Sequence, residues 1–302
     1  MGYTFVMRTV VGVLRGGPSS EYDMSLRTGA AVLEALDREK YEPRDIFIDR
    51  NGQWHLHGIG VTPEKALFGA DVAFNALHGH YGEDGQVQRL LEQLGVPYTG
   101  SRAAAAATSF NKHLTKQEAD KVGVKTAHSI VVEYTGDTEA AAMRIFRTFP
   151  HPAIVKPVTG GSSVGMTVAE NFAQLRHALD KAFDYAPQAL VEEFIKGRDA
   201  TVGVIQHFRN EPTYALLPSA YETFSQKEKD ELVSIAKKIH DALGLQHYSE
   251  SDFVVSKRGI YFLEVNALPG LHKESLFNKS LGAVGSSLSH FLDHVISLVR
   301  RK

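Results

Sequence analysis

Lys156 ends the β-prone run 153–156, and Thr159-Gly160-Gly161-Ser162-Ser163-Val164-Gly165 follows it. Glycines let backbone amides approach phosphate oxygens, and serine hydroxyls add donors. A cation just before such a segment suits a polyphosphate, although the spacing is neither the P-loop nor the dinucleotide fingerprint. On the residues alone, a flexible hairpin tip accounts for the glycines as well. A second constellation is Asp252 with Glu264 and Asn266. Glu264 and Asn266 are two apart in a strand-like run, so period-two geometry puts both on one face. Asp252 lies across the turn Ser256-Lys257-Arg258-Gly259, and pairing through that hairpin lets it face them. Two carboxylates and an amide oxygen are hard ligands suited to magnesium. The alternative is a solvated polar sheet face. Phe262, Leu263 and Val265 weigh against it, because unpaired carboxylates are costly in apolar surroundings. A third group is His78-Gly79-His80-Tyr81-Gly82-Glu83-Asp84-Gly85, with Glu21 following Gly16-Gly17. Both stretches come after apolar strand-like runs, at the sheet rim where open α/β folds place ligands.

The elements that must position these groups are legible as well. Run 10–14 reads as a strand, 25–36 as a helix and 44–48 as a strand. Asn51-Gly52 is a two-residue hairpin signal leading into 54–57. Run 72–77 is a buried strand, and helix 86–94 is stopped by Gly95. This βαβ rhythm predicts a parallel sheet with crossover helices. Residues 103–107 form a small-residue stretch near a boundary. Helices over 112–122, 138–149 and 171–185 alternate with strands over 129–133 and 153–156. Short strands follow over 190–194, 201–206 and 214–217. A long helix over 225–243 opens with Ser225 as N-cap and Glu228 completing a capping box. The hairpin 252–255/260–265 and a final helix over 286–300 close the chain. The layout predicts α/β followed by α+β.

Composition limits the rest. At 302 residues the chain exceeds one ordinary core, so two or three domains are expected. With 43% apolar and 23% charged residues it is neither disordered nor fibrous. Lys+Arg number 33 against 35 Asp+Glu, so no basic excess drives nucleic-acid binding. Cysteine is absent, which excludes disulfides, thiolate catalysis and zinc–thiolate sites. No apolar run reaches the ~20 residues of a membrane helix, and the first residues lack a signal-peptide cleavage pattern. A cytoplasmic protein with no membrane association is expected.

The motifs closely resemble one family, the D-alanine–D-alanine ligases of the ATP-grasp superfamily. The matching stretches begin with Gly16-Gly17-Pro18-Ser19-Ser20-Glu21, Ala76-Leu77-His78-Gly79, Gly82-Glu83-Asp84-Gly85 and Pro97-Tyr98-Thr99-Gly100-Ser101. Asn111-Lys112, Ile154-Val155-Lys156-Pro157, Gly161-Ser162-Ser163-Val164-Gly165-Met166 and Leu190-Val191-Glu192-Glu193-Phe194 come next, then Leu263-Glu264-Val265-Asn266 and Pro269-Gly270. They run in family order from end to end. The resemblance implies an ATP-grasp fold: a parallel α/β domain over 1–101, a central lobe with a Gly-rich lid over 102–188, and a metal-bearing lobe over 189–302. It implies ATP-dependent joining of two D-alanines through an acyl phosphate, for peptidoglycan, by a cytoplasmic homodimer that uses magnesium or manganese.

By position, Lys112 and Lys156 resemble the phosphate-contacting lysines, and Ser162, Ser163 and Val164 the lid over the phosphates. Glu192, Glu193 and Ile195 match the adenine-contacting segment, and Asp199 the ribose carboxylate. Asp252, Glu264 and Asn266 match the metal ligands. Glu21 and His78 belong to the first substrate's pocket, Ser275 and Leu276 to the second's, and Gly270 offers a backbone donor to the oxyanion. Glu21, Ser162 and Gly270 are thereby the expected catalytic groups.

Two departures stand out. Glu250 occupies the position where the family usually has an arginine that stabilises developing negative charge. The long loop that usually follows Leu-Pro-Ser, with its Lys-Tyr pair, is absent: Leu217-Pro218-Ser219 passes through Ala220-Tyr221-Glu222-Thr223-Phe224 directly to Ser225. These departures keep two other readings open, an ATP-grasp ligase with another acceptor and a nucleotide-binding protein with weak or lost ligase activity.

Overall fold

The computed structural model describes residues 8–161, 164–219 and 223–300. Three sheets organise them. The first takes β1 (Thr9–Gly16), β2 (Tyr41–Ile48), β3 (Trp54–Leu56), β4 (Ile59–Val61) and β5 (Val72–Asn75), in the order β4-β3-β2-β1-β5. β1 runs parallel to β2 and β5, as the βαβ rhythm requires. β3 and β4 fold back antiparallel, beginning at the Asn51-Gly52 turn. Helix α1 (Tyr22–Ala35) crosses one face, while α2 (Pro63–Leu67) and α3 (Gln86–Gln93) cover the other through Leu67, Val87 and Leu91.

The segment 103–107, read as a small-residue boundary, is part of helix α4 (Ala103–Phe110). α5 (Lys112–Lys121) follows, capped by the Asn111 side chain. The second sheet joins β6 (Ser129–Glu133), β7 (Ala153–Pro157), β8 (Thr167–Ala169) and β9 (Gln188–Glu193) in the order β6-β9-β7-β8. α6 (Thr138–Thr148) and α7 (Phe172–Phe183) pack on one face against Val155 and Val191. Alternation sends Ile154 and Lys156 to the opposite face.

The third sheet joins β10 (Arg198–Gln206), β11 (Thr213–Ala215), β12 (Tyr248–Ser256) and β13 (Gly259–Asn266) in the order β11-β10-β12-β13. α8 (Gln226–Ala242) lies against it and carries the capping box read from Ser225 and Glu228. Two helices remain, α9 (Leu276–Ala283) and α10 (Leu288–Arg300).

Four elements pack across the boundaries drawn at 101/102 and 188/189. β9 pairs with β6 and β7, so the second sheet extends to Glu193. α4 and α5 pack on β13, with Ala119 and Val124 in the third sheet's core. α10 returns to α1 and β5, where Phe291, Leu292, Val295 and Ile296 share a core with Val11, Val32 and Phe74. Each burial follows an apolar helix face to the nearest uncovered sheet face rather than chain order.

α8 also buries His240 completely, its Nδ1 2.8 Å from Ser249 Oγ. Its Nε2 has no hydrogen-bond partner among the described residues. Burial lowers its pKa to about 4. The folded value lies below the unfolded one of about 6.5, so this group's contribution to stability is complete above pH 6.5 and lost as pH falls towards 4. His240→Gln is expected to make stability less steep over that window, by up to about 1.4 kcal/mol per pH unit relative to the parent. Denaturant unfolding from pH 4 to 7.5 checks this, and parallel curves for the two proteins would refute it.

Candidate active site

A cavity of about 280 Å³ lies between the second and third sheets. Ile154, Lys156 and Glu192 line it from the second sheet, and Gly160, Gly161 and Val164 from the Gly-rich segment. Lys112 enters from the start of α5. Asp199, Thr201, Asp252 and Glu264 line the opposite wall. Lys112, Lys156, Val164, Glu192, Asp199, Asp252 and Glu264 are thus brought together as the sequence predicted. Ser162 and Ser163 lie outside the described residues, as does Tyr221.

The acidic wall depends on a detail of register. Ser256 pairs with Gly259 and Phe253 with Phe262, so regular continuation would set Asp252 opposite Leu263. A register shift between Asp252 and Phe253 sets Asp252 opposite Glu264 and Glu250 opposite Asn266. A one-residue slip exchanges the faces of a strand. The bulge is therefore what gathers Glu250, Asp252, Glu264 and Asn266 on one face. Thr201 Oγ1 donates to Asp252 Oδ1 at 2.6 Å, and Asn266 Nδ2 lies 3.5 Å from Asp252 Oδ2. Burial, with Glu264 and Asp199 nearby, raises Asp252 to about 7 against the pull of the Thr201 hydrogen bond. Burial and the charge of Asp252 raise Glu250 to about 8. Glu264 goes the other way: burial raises it, but Lys112 and Lys156 outweigh burial and leave it below the usual carboxylate range. Burial and mutual repulsion hold protons on Asp252 and Glu250, and the wall's donors are hard oxygens; a divalent cation fits such a set. Among the described residues no group of three or more His, Cys, Asp or Glu is placed to hold a metal ion. The set here is two carboxylates and one amide.

On the basic wall, Lys156 Nζ lies 2.6 Å from Glu192 Oε2, and Lys116 Nζ lies 2.8 Å from Glu192 Oε1. All three side chains are nearly inaccessible. Burial opposes the charge of Glu192, yet the two lysines hold its carboxyl below its ordinary value. Burial likewise opposes the charge of Lys156, and Glu192 with Glu264 raises it nonetheless. Lys112 pairs with Glu264 Oε2 at 3.3 Å and donates to the Gly160 carbonyl, tying the Gly-rich segment to the acidic wall. Lys116 and Thr201 escaped the sequence reading. The signal for Lys116 was its position one helical turn after Lys112, on the same face.

Glu193 and Ile195 do not line this cavity. Glu193 alternates to the other side of β9 and binds Arg258 at 2.7 Å. Ile195 sits in a small apolar cluster with Ala127, Val254 and Tyr261.

The first-sheet rim adjoins the Gly-rich segment. A Cβ on Gly161 would stand 2.7 Å from Glu21 Oε1, and one on Gly79 2.9 Å from the same atom. Gly79 also has φ +69°, which favours glycine where two loops close on one carboxylate. His78 is buried, with Nε2 2.8 Å from Thr28 Oγ1 and Nδ1 3.3 Å from Glu83 Oε1. Gly270 faces α1, where its Cβ would lie 3.6 Å from Met24 Sδ. Ser275 is the N-cap of α9, its Oγ accepting from the Asn278 amide, and Leu276 is the first helical residue.

Family models described as the D-ala D-ala ligase N-terminus and C-terminus match residues 10–67 with 58–101, and 119–220 with 219–297. The C-terminal match divides at Ser219–Ala220. The D-alanine–D-alanine ligase of Aquifex aeolicus is 35% identical over 96% of this chain and 100% of its own length. That of Syntrophobacter fumaroxidans is 33% identical, over 96% and 97% respectively. The structure of the D-alanine–D-alanine ligase from Bacillus anthracis complexed with ATP superposes with a TM-score of 0.81 at 27% identity, covering 97% of both chains. With both halves matched and relatives aligned over nearly their full length, the chain belongs to the D-alanine–D-alanine ligase family.

Proposed function

We propose that this protein joins two D-alanines into D-alanyl-D-alanine for peptidoglycan precursor synthesis, at the cost of one ATP. The observation that carries this reading is the single cavity in which Lys112 and Lys156 face Asp252 and Glu264, with Glu21 reaching the same Gly-rich segment. Phosphoryl transfer to a carboxylate needs fixed positive charge around the phosphates and a dry site. Lys156 and Lys112 hold the phosphates. The lid segment with Ser162, Ser163 and Val164 covers them, the backbone of 192–195 receives the adenine, and Asp199 binds the ribose. Glu21 accepts the ammonium of the first D-alanine, with His78 in the same pocket fixed by Thr28 and Glu83. Its carboxylate takes the γ-phosphoryl group and ADP leaves. The amine of the second D-alanine, held at Ser275 and Leu276, attacks the acyl carbon. The C–N bond forms, the C–O bond to phosphate breaks, and the Gly270 amide donates to the oxyanion between those events. Asp252, Glu264 and Asn266 would hold magnesium or manganese, which would supply the charge neutralisation that the phosphates require.

Glu250 and the short connection after Ser219 favour slow turnover. The same reading takes the protein as a cytoplasmic homodimer with two lobes closing on ATP. Among the described residues no helix is long and apolar enough to cross a membrane. The test is ADP release with D-alanine, L-alanine, D-lactate and no acceptor, with and without magnesium, and with the dipeptide identified by mass spectrometry. D-alanine is expected to exceed the others by at least about tenfold. ADP release indifferent to D-alanine would refute ligation and leave nucleotide hydrolysis.

A further inference from the structure

Lys116 is 3% exposed and does not line the cavity, yet it holds the free oxygen of the carboxylate that Lys156 grips. It also donates to the Ala127 carbonyl at 3.1 Å. We infer that Lys116 is a positioning residue for ATP, keeping Lys156 available to the phosphates by taking up half of Glu192. This rests on the ligase reading above and adds a residue to it.

The argument is one of charge. Two ammonium groups and one carboxylate leave one net positive charge, and among the three only Lys156 and Glu192 border the cavity. Without Lys116, the same carboxylate faces Lys156 alone and the pair is neutral. A buried neutral pair exerts little pull on a polyphosphate, and Glu192 then competes with the phosphates for the Lys156 protons. Lys116 thus acts on the ligand through Glu192, without itself lining the cavity. Burial lowers the Lys116 pKa, and the attraction of Glu192 opposes that without outweighing it.

The test separates charge from packing. Lys116→Met is expected to weaken ATP binding about tenfold, measured by calorimetry on the whole chain, and to leave adenosine affinity within about twofold. Lys116→Met/Glu192→Gln restores one net charge on Lys156 and should bring ATP affinity back to within about threefold of the parent. Lys116→Met binding ATP as the parent does overturns the inference. So does an equal loss for adenosine, or a double variant no tighter than the single one. Should Lys116→Met fail to fold, the double variant has no unpaired buried carboxylate, and a tenfold loss of ATP affinity there (about 1.4 kcal/mol) overturns it too. A parent chain that binds no ATP overturns the ligase reading itself.

Discussion

Lys156→Ala is expected to weaken ATP binding by about 10²–10³-fold, with D-alanine binding little changed. Two losses combine. The net charge of the buried Lys116–Glu192–Lys156 group falls from one to zero, as in Lys116→Met. In addition, the ammonium that borders the cavity disappears, and Glu192, held by Lys116 alone, turns a bare carboxylate oxygen towards the phosphates. Breaking a buried pair by removing one partner typically costs about 3–5 kcal/mol. Part of that appears as lost folding stability, so a melting curve must accompany the titration. D-alanine is spared because Glu21 and His78 stand on the first-sheet rim, where His78 is fixed by Thr28 and Glu83 rather than by Lys156. Calorimetry with a non-hydrolysable ATP analogue and magnesium decides the matter. Unaltered affinity in a folded variant would make Lys156 a purely structural lysine.

Local chemistry was readable wherever one element determines it. The capping box at Ser225, the Asn51-Gly52 hairpin and the alternation that aims Lys156 away from Val155 all depend on neighbours within a few residues. Helix α4 was readable too and was passed over. Alanine is the strongest helix former, but five consecutive alanines carry no apolar–polar period and resemble a linker. What could not be read depends on partners far along the chain. Nothing between Ser286 and Arg300 says that this helix packs on the first sheet, a choice made by the uncovered face of β1 and β5. Glu192 was assigned from its motif to adenine, but Lys116 and Lys156 claim its carboxylate.

On the acidic wall, pairing through the hairpin is not by itself enough to bring Asp252 to the face of Glu264 and Asn266. Simple hairpin counting from Ser256 and Gly259 sets Asp252 against Leu263, with its carboxylate on the opposite face from Glu264 and Asn266. The bulge at Asp252/Phe253 corrects the count by one. A bulge has no dependable sequence signature, and it is found where a strand must re-aim a side chain. The same shift brings Glu250 onto the acidic face, beside Asp252, and so makes its departure from the family pattern a matter for chemistry.

Glu250→Arg is therefore expected to raise the ligation rate by about 10–100-fold, with ATP affinity little changed. Glu250 sits on β12 between Gly203 of β10 and Asn266 of β13. Negative charge develops on the former carboxylate oxygen when the amine adds to the acyl phosphate. A fixed cationic donor at that point is worth roughly 10²–10³ in rate. Glu250 offers none: ionised it repels the charge, and protonated it is a single neutral donor. An arginine would also give Asp252 a cationic neighbour, lowering the carboxyl that burial, Glu264 and Asp199 now raise to about 7. The gain should fall short of the full factor, because an added cation does nothing to exclude water from the acyl phosphate. Dipeptide and ADP should be measured together at saturating ATP, magnesium and D-alanine. Faster dipeptide formation with ADP still in excess would separate the two defects, one in charge stabilisation and one in closure. Fast ligation by the parent, slowed by the arginine, would mean that another group already meets the developing charge and that Glu250 has a different task.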